Sequence, residues 1–174
     1  MKIFLTVWIT AVLTGSELIT GNMGLALGLP VFGALYFAVA FFPEYGIAAA
    51  GISGILLDAA YGRTLPSASV LYIITVALAS YMVTRGQREH LLSPLLSGAL
   101  CGLLIFTGNL LTSVISKDTF PGPDIFSTAV FQIAGGGIFM LLLVLLFDAV
   151  NLRCDLPCFI PGKKKNNLPG ESGI

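Results

Sequence analysis

The chain has 174 residues, of which 56% are hydrophobic and only 10% charged, with a mean hydropathy of +0.92. Soluble domains carry roughly a quarter charged residues, so this composition belongs to a membrane protein. Nine Lys and Arg balance nine Asp and Glu for a net charge of zero, which leaves no basic surface for nucleic acid and no acidic excess of the disordered kind.

At ~20 residues for each crossing of ~30 Å of hydrocarbon, the length holds about six spans and no sizeable extramembrane domain. Lys2 and the apolar stretch Ile3 to Leu13 have the outline of a signal peptide. No Ala-x-Ala site precedes a polar mature segment, so the stretch reads as a retained first span over about 3–20. Apolar runs bounded by charge, Gly and Pro place the others at about 24–42, 45–60, 66–84, 91–115 and 125–150. The third meets Asp58 after ~13 apolar residues, short for a full span, and is expected to be tilted, re-entrant or buried among its neighbours. The connections Gly21-Asn22, Pro43-Glu44, Gly62 to Thr64, Arg85 to His90 and Lys117 to Pro123 are all short. Short loops force antiparallel neighbours, so the expected architecture is an all-α, up-and-down membrane bundle over residues 1–150. Residues 151–174 form a basic cytoplasmic juxtamembrane tail, expected to be disordered, whose Lys163, Lys164 and Lys165 would attract anionic lipid.

Lys and Arg set the orientation. With six spans, Lys2, Arg85, Arg88, Arg153, Lys163, Lys164 and Lys165 share one side, against Arg63 and Lys117 on the other, which predicts both termini in the cytoplasm. An odd number of spans would lose that bias.

Cys101 lies in an apolar run, and Cys154 and Cys158 are too isolated for a zinc site, so they read as juxtamembrane thiols. Neither cofactor nor metal is expected. Helix association in lipid relies on small residues that let backbones approach closely. Gly24-Leu-Ala-Leu-Gly28 and Gly98-Ala-Leu-Cys-Gly102 have that spacing, Ala50 to Gly54 continues it, and Gly135-Gly136-Gly137 interrupts the last span. Each reads first as internal packing and second as a face for a partner helix.

Ionisable groups at membrane depth are candidates for function. Glu17 is expected at the outer interface, hydrated, and Asp148 at the inner one, in an ion pair with Arg153. Asp58 precedes Tyr61-Gly62-Arg63, where it could cap or brace the turn into the fourth span and pair with Arg63. Asp58 and Asp148 fall at opposite boundaries, too far apart for an intramembrane aspartic protease dyad. His90, the one histidine, sits in a charged loop with no Gly-x-Ser-x-Gly to serve, so no serine hydrolase is expected. The chain reads as a non-enzyme, and too few intramembrane carboxylates are present for a proton relay.

The stretch Gly54-Ile-Leu-Leu-Asp58-Ala-Ala-Tyr-Gly62-Arg-Thr-Leu65-Pro66 resembles the signature of the MreD family, small integral membrane proteins of the bacterial rod-shape system. Gly54, Asp58, Gly62 and Leu65 match in spacing, and Pro66 stands where the family often has Gly. A looser resemblance covers about residues 24–115. It implies a scaffold subunit of the elongasome in the bacterial cytoplasmic membrane. Such a subunit would bind the single transmembrane helix of an MreC-like protein and, through it, RodA, a class B penicillin-binding transpeptidase and the MreB filament. On that reading Asp58, Gly62 and Arg63 hold the turn between spans three and four. The alternative from another class is the substrate-binding S-component of an energy-coupling-factor vitamin transporter, also a small six-span bundle. It needs an outward pocket, for which Tyr61, Arg63 and Lys117 to Pro123 are the available groups. The coupling motif of that family is approached only by Ala11-Val-Leu-Thr-Gly15.

Overall fold

A computed structural model describes the backbone over residues 2–22, 28–63, 66–85, 92–116, 125–153 and 156–160, and side chains within 7–20, 28–63, 66–85, 92–111, 125–153 and 156–160. Every element in these residues is a helix: α1 (Lys2–Asn22), α2 (Leu29–Ala40), α3 (Pro43–Ala60), α4 (Ser67–Arg85), α5 (Leu92–Ser116) and α6 (Ile125–Arg153). The all-helical expectation is met. Ser67–Arg85, Leu92–Leu111 and Ile125–Arg153 are long and apolar enough to cross a membrane, while the apolar stretches Val7–Thr20 and Leu29–Ala40 are shorter. The second helix begins at Leu29 rather than near residue 24, so Gly24 lies outside the described residues, as does Leu65.

Proline and glycine fix the turns. Pro30 and Pro43 stand in the first turns of α2 and α3, where the missing N–H has no helical partner to lose. Phe42 precedes Pro43 in an extended conformation, as steric conflict with the proline ring requires. The Phe41 N–H closes α2 on the Phe37 carbonyl at 3.0 Å, so the chain reverses within two residues. At the other end of α3, Gly62 adopts a left-handed φ of 63°. Its N–H donates to the Ala59 carbonyl at 3.2 Å and the Arg63 N–H to the Asp58 carbonyl at 2.9 Å, the paired bonds of a Schellman cap.

All 12 residues of α2 are buried. At 1.5 Å per residue this helix is only ~18 Å long, against ~30 Å of hydrocarbon. It packs against each of the other five helices, and the remaining packing pairs run α1 on α3, α3 on α4, α4 on α5 and α5 on α6. α1 and α6 are therefore joined chiefly through α2. The outer helices bury one face and expose the other, as α4 does with Val76 and Ala79 inside and Ile74 and Leu78 outside. In water such a surface would be a liability, whereas in lipid it is the solvated face.

Glycine sets the closest approaches. Gly98 and Gly102 of α5 lie against the backbone of α6 at Gly136 and Gln132, and Gly54 of α3 lies against α4 at Ser69, with no room for a Cβ in any case. Gly15 of α1 and Gly135 of α6 face open space. Of the stretch 151–174, expected as a tail, the described residues are 151–153 and 156–160. α6 runs through Arg153, and Phe159 and Ile160 are buried in the hydrophobic core. Two large apolar side chains near the helix end gain more from that core than from solvation. The lysines at 163–165 lie outside the described residues.

Gly102→Val is expected to destabilise the bundle by about 1–3 kcal/mol through overpacking against α6, while Gly15→Val leaves thermal stability unchanged; melting curves of both variants in detergent check the contrast.

Candidate functional site

Three carboxylates are buried in the described bundle: Glu17 at 3% exposure, Asp58 at 3% and Asp148 at 0%. A bare carboxylate in such surroundings is prohibitively unfavourable, so each must find donors. All three find them in backbone N–H groups of another segment, Glu17 and Asp58 at a helix N-terminus and Asp148 at the end of the 156–160 segment that follows α6.

Glu17, in the last turns of α1, accepts from the Gly28 N–H at 2.9 Å and the Leu29 N–H at 3.0 Å. Gly28 holds a left-handed φ of 70° just ahead of α2, which turns its own N–H and the next towards one acceptor. The two N–H groups belong to a helix N-terminus, where partial positive charge favours an anion. The hydrated Glu17 expected from sequence is thus corrected. The carboxylate is buried because α2 is too short to bring its N-terminus to the surface.

Asp58 does the same for α4. Its carboxylate accepts from Ala68 N–H at 3.0 Å and Ser69 N–H at 3.2 Å. Arg63 approaches from the solvent side, with Nη1 3.6 Å from Asp58 Oδ1 and the guanidinium carbon 5.5 Å from the centre of the Tyr61 ring. Ser69 donates its hydroxyl to the Gly51 carbonyl at 3.2 Å, a second tie between α3 and α4. Gly54, Asp58, Gly62 and Arg63 are thus brought into one corner. Gly54 permits contact, Asp58 caps, Gly62 turns the chain and Arg63 neutralises.

Asp148 holds the opposite end. Its Oδ1 accepts from the Tyr36 hydroxyl at 2.9 Å and the Phe159 N–H at 2.8 Å, and its Oδ2 from the Ile160 N–H at 3.2 Å. Asn151 donates through Nδ2 to the Tyr36 hydroxyl at 2.8 Å and to the Pro157 carbonyl at 2.9 Å. The ion pair expected between Asp148 and Arg153 is corrected: Asp148 turns inward, and Arg153 is exposed on the other side of the last turn. Tyr36, Asn151, Phe159 and Ile160 had not been singled out in the sequence. Asp148 and Asn151, three residues apart, share a helix face, a faint signal; that Tyr36 completes the set is set by tertiary packing. Asp58 and Asp148 share no partner, and among the described residues no three His, Cys, Asp or Glu gather into a metal site.

Beside the Glu17 and Asp58 caps lies a half-open cavity of about 180 Å³. Its polar lining is Glu17, Tyr61, Arg63, Tyr72 and Asn109, and its apolar walls include Leu57, Leu71 and Ile105. Comparison with protein families, with curated proteins and with solved structures finds no match.

Asp58→Ala strands the Ala68 and Ser69 N–H groups and is expected to lower stability by about 1–3 kcal/mol, more than Arg63→Gln, whose half-exposed ion pair is worth ~0–1 kcal/mol. Thermal melts of the two variants give the order. Asp148→Ala releases the 156–160 segment, so Cys158 reacts several-fold faster with a maleimide in a chain whose Cys101 and Cys154 are replaced by Ala; an unchanged rate would mean that the carboxylate does not hold the segment.

Proposed function

We propose that the chain is a non-enzymatic, six-span scaffold of the bacterial cell-shape and peptidoglycan elongation machinery, placed in the cytoplasmic membrane with both termini inside. Its direct partner is the single transmembrane helix of an MreC-like protein, which links it to RodA, a class B transpeptidase and MreB. The sequence support is the MreD-like stretch from Gly54 to Leu65, whose described members Gly54, Asp58, Gly62 and Arg63 serve one helix corner. Such residues maintain a shape rather than a reaction.

The observation that carries the reading is the outer face of α1. Ala11 and Gly15, four residues apart, lie on a helix flanked by the exposed Trp8, Val12 and Ile19, and a Cβ at Gly15 would meet nothing within 4 Å. The small residues of α3 and α5 are spent on internal contacts. The pair on α1 is open to a helix from outside, and close backbone approach is what drives helix pairing in lipid. With the three buried carboxylates committed to backbone N–H groups, the surfaces left for a partner are lipid-facing helices and short loops.

The cavity is the one feature that favours a transporter subunit. At about 180 Å³ it falls below the ~300–1,000 Å³ of sites that enclose drug-sized ligands, so a vitamin would not be enclosed. The scaffold reading therefore stands first.

Gly15→Leu is expected to abolish co-purification of the MreC-like helix from native membranes without lowering the melting temperature, and a photo-crosslinker at Val12 captures that partner where one at Leu78 on α4 does not. Recovery of a transmembrane coupling subunit with ATPases in place of cell-wall synthases would replace this reading by the transporter one.

A further inference from the structure

The lipid-facing sides of the bundle differ in height. On the hairpin of α3 and α4 the apolar surface is bounded at each end by an arginine lying on a tyrosine. Arg63 sits over Tyr61 at 5.5 Å, at the turn between the two helices, and Arg85 over Tyr81 at 4.6 Å, at the far end of α4. Glu44 and Tyr45 mark that same far end on α3, and all of these side chains are exposed. Between the marks every exposed side chain of α3 and α4 is apolar. The band so enclosed is short: along the helix axes ~24 Å separates Tyr45 from Tyr61 and ~21 Å separates Ser67 from Tyr81. On α6 the exposed positions from Val130 to Val150 are all apolar over ~30 Å of axis, with exposed Ser127 and Thr128 before them and Arg153 after. A hydrocarbon core of ~30 Å therefore matches α6 and exceeds the band on α3 and α4 by roughly 6–9 Å.

A band shorter than the hydrocarbon is accommodated by flanking side chains that reach outwards, by a partner that covers it, or by thinning of the bilayer. Tilting is no remedy, because inclining a helix only lowers the height of its apolar band. Outward reach is opposed by the geometry of both arginines. Arg63 turns back past Tyr61 to Asp58, with Nη1 3.6 Å from Oδ1, and Asp58 is itself fixed to the N–H groups of Ala68 and Ser69. Arg85 folds back one turn onto Tyr81. Tyrosine and arginine settle at headgroup level, so these pairs bring the headgroups towards the protein's midplane. The interior agrees: α2 is only ~18 Å long, and the half-open cavity lined by Tyr61 and Arg63 carries polar surface in to Gly28 at its head. We propose that the bilayer is held thinner along α3 and α4 than along α6, the lipid chains there being compressed between the Tyr61–Arg63 and Tyr81–Arg85 pairs. This goes beyond the scaffold reading and holds without it.

The test is a depth scan of the full chain, with Cys101, Cys154 and Cys158 replaced by Ala, in nanodiscs of monounsaturated phosphatidylcholines that differ only in acyl length. Single nitroxides are placed at the exposed positions Val70, Leu78, Met82 and Thr84 of α4 and Val130, Leu142 and Val150 of α6. Their accessibility to oxygen and to a water-soluble nickel chelate is then measured. In dioleoyl lipid the lipid-buried stretch is expected to end between Leu78 and Thr84 on α4 but to extend from Val130 to Val150 on α6. Lengthening the chains to dieicosenoyl is expected to leave Thr84 open to nickel, because the pairs rather than the lipid set the local thickness. Combining Tyr81→Leu with Arg85→Leu releases that hold, so nickel accessibility at Thr84 falls several-fold in the longer lipid. Lipid-buried stretches of equal length on the two helices, loss of nickel accessibility at Thr84 in the unmodified pair as the chains lengthen, or a double variant without effect overturns the proposal. An α4 face closed to oxygen as well as nickel overturns it in favour of a covering protein.

Discussion

A helix that ends inside an apolar bundle has nowhere to send its terminal N–H groups, and this chain contains one at its centre. α2 is 12 residues long and buried throughout, so its first N–H groups must be satisfied by protein rather than by water or lipid headgroup. Glu17 supplies the acceptor, and in doing so fixes α1 against α2 at one point. The ring of outer helices follows from that arrangement, because each of them packs against α2.

Asp58 repeats this solution at the start of α4, and Asp148 gives the same service to N–H groups of a non-helical segment. Asp58 ties α3 to α4, and Asp148 ties α6 to α2 and to the returning 156–160 segment. In each case the carboxylate spans a junction between two segments, so its contribution is to geometry as well as to stability. A half-satisfied cap at any of the three would be worse than an apolar contact in its place, since low dielectric raises the penalty for what is left unpaired. The glycines act between these points. Where Gly54, Gly98 and Gly102 remove side chains, neighbouring backbones meet directly and the helices need little sequence to register.

Much of this was legible in the sequence because apolar runs and their punctuation follow from the membrane itself. The bounds of α1, α3, α4, α5 and α6 fall within a few residues of those expected, and the corner around Asp58 and Gly62 was readable because a cap and a Schellman turn are local in sequence. Burial of the carboxylates was not legible. Glu17 and Asp148 look interfacial when helices are counted as full spans, and they become buried because α2 is short and the chain after α6 folds back, neither of which hydropathy records. Tyr36 escaped notice for a related reason: a tyrosine in an apolar run is ordinary, and only its tertiary partners give it meaning. The proposed scaffold role rests on the family resemblance and on the open face of α1.

Burial of Phe159 and Ile160 has a consequence for the charged end of the chain. With Ile160 fixed in the core, Lys163 follows after three residues and Lys165 after five. At no more than ~3.6 Å per residue the backbone length alone keeps the Cα atoms of these lysines within roughly 10–18 Å of that anchor, about one to two Debye lengths at physiological ionic strength. The Asp148 network, by holding Ile160, therefore also limits how far from the end of α6 three positive charges can lie.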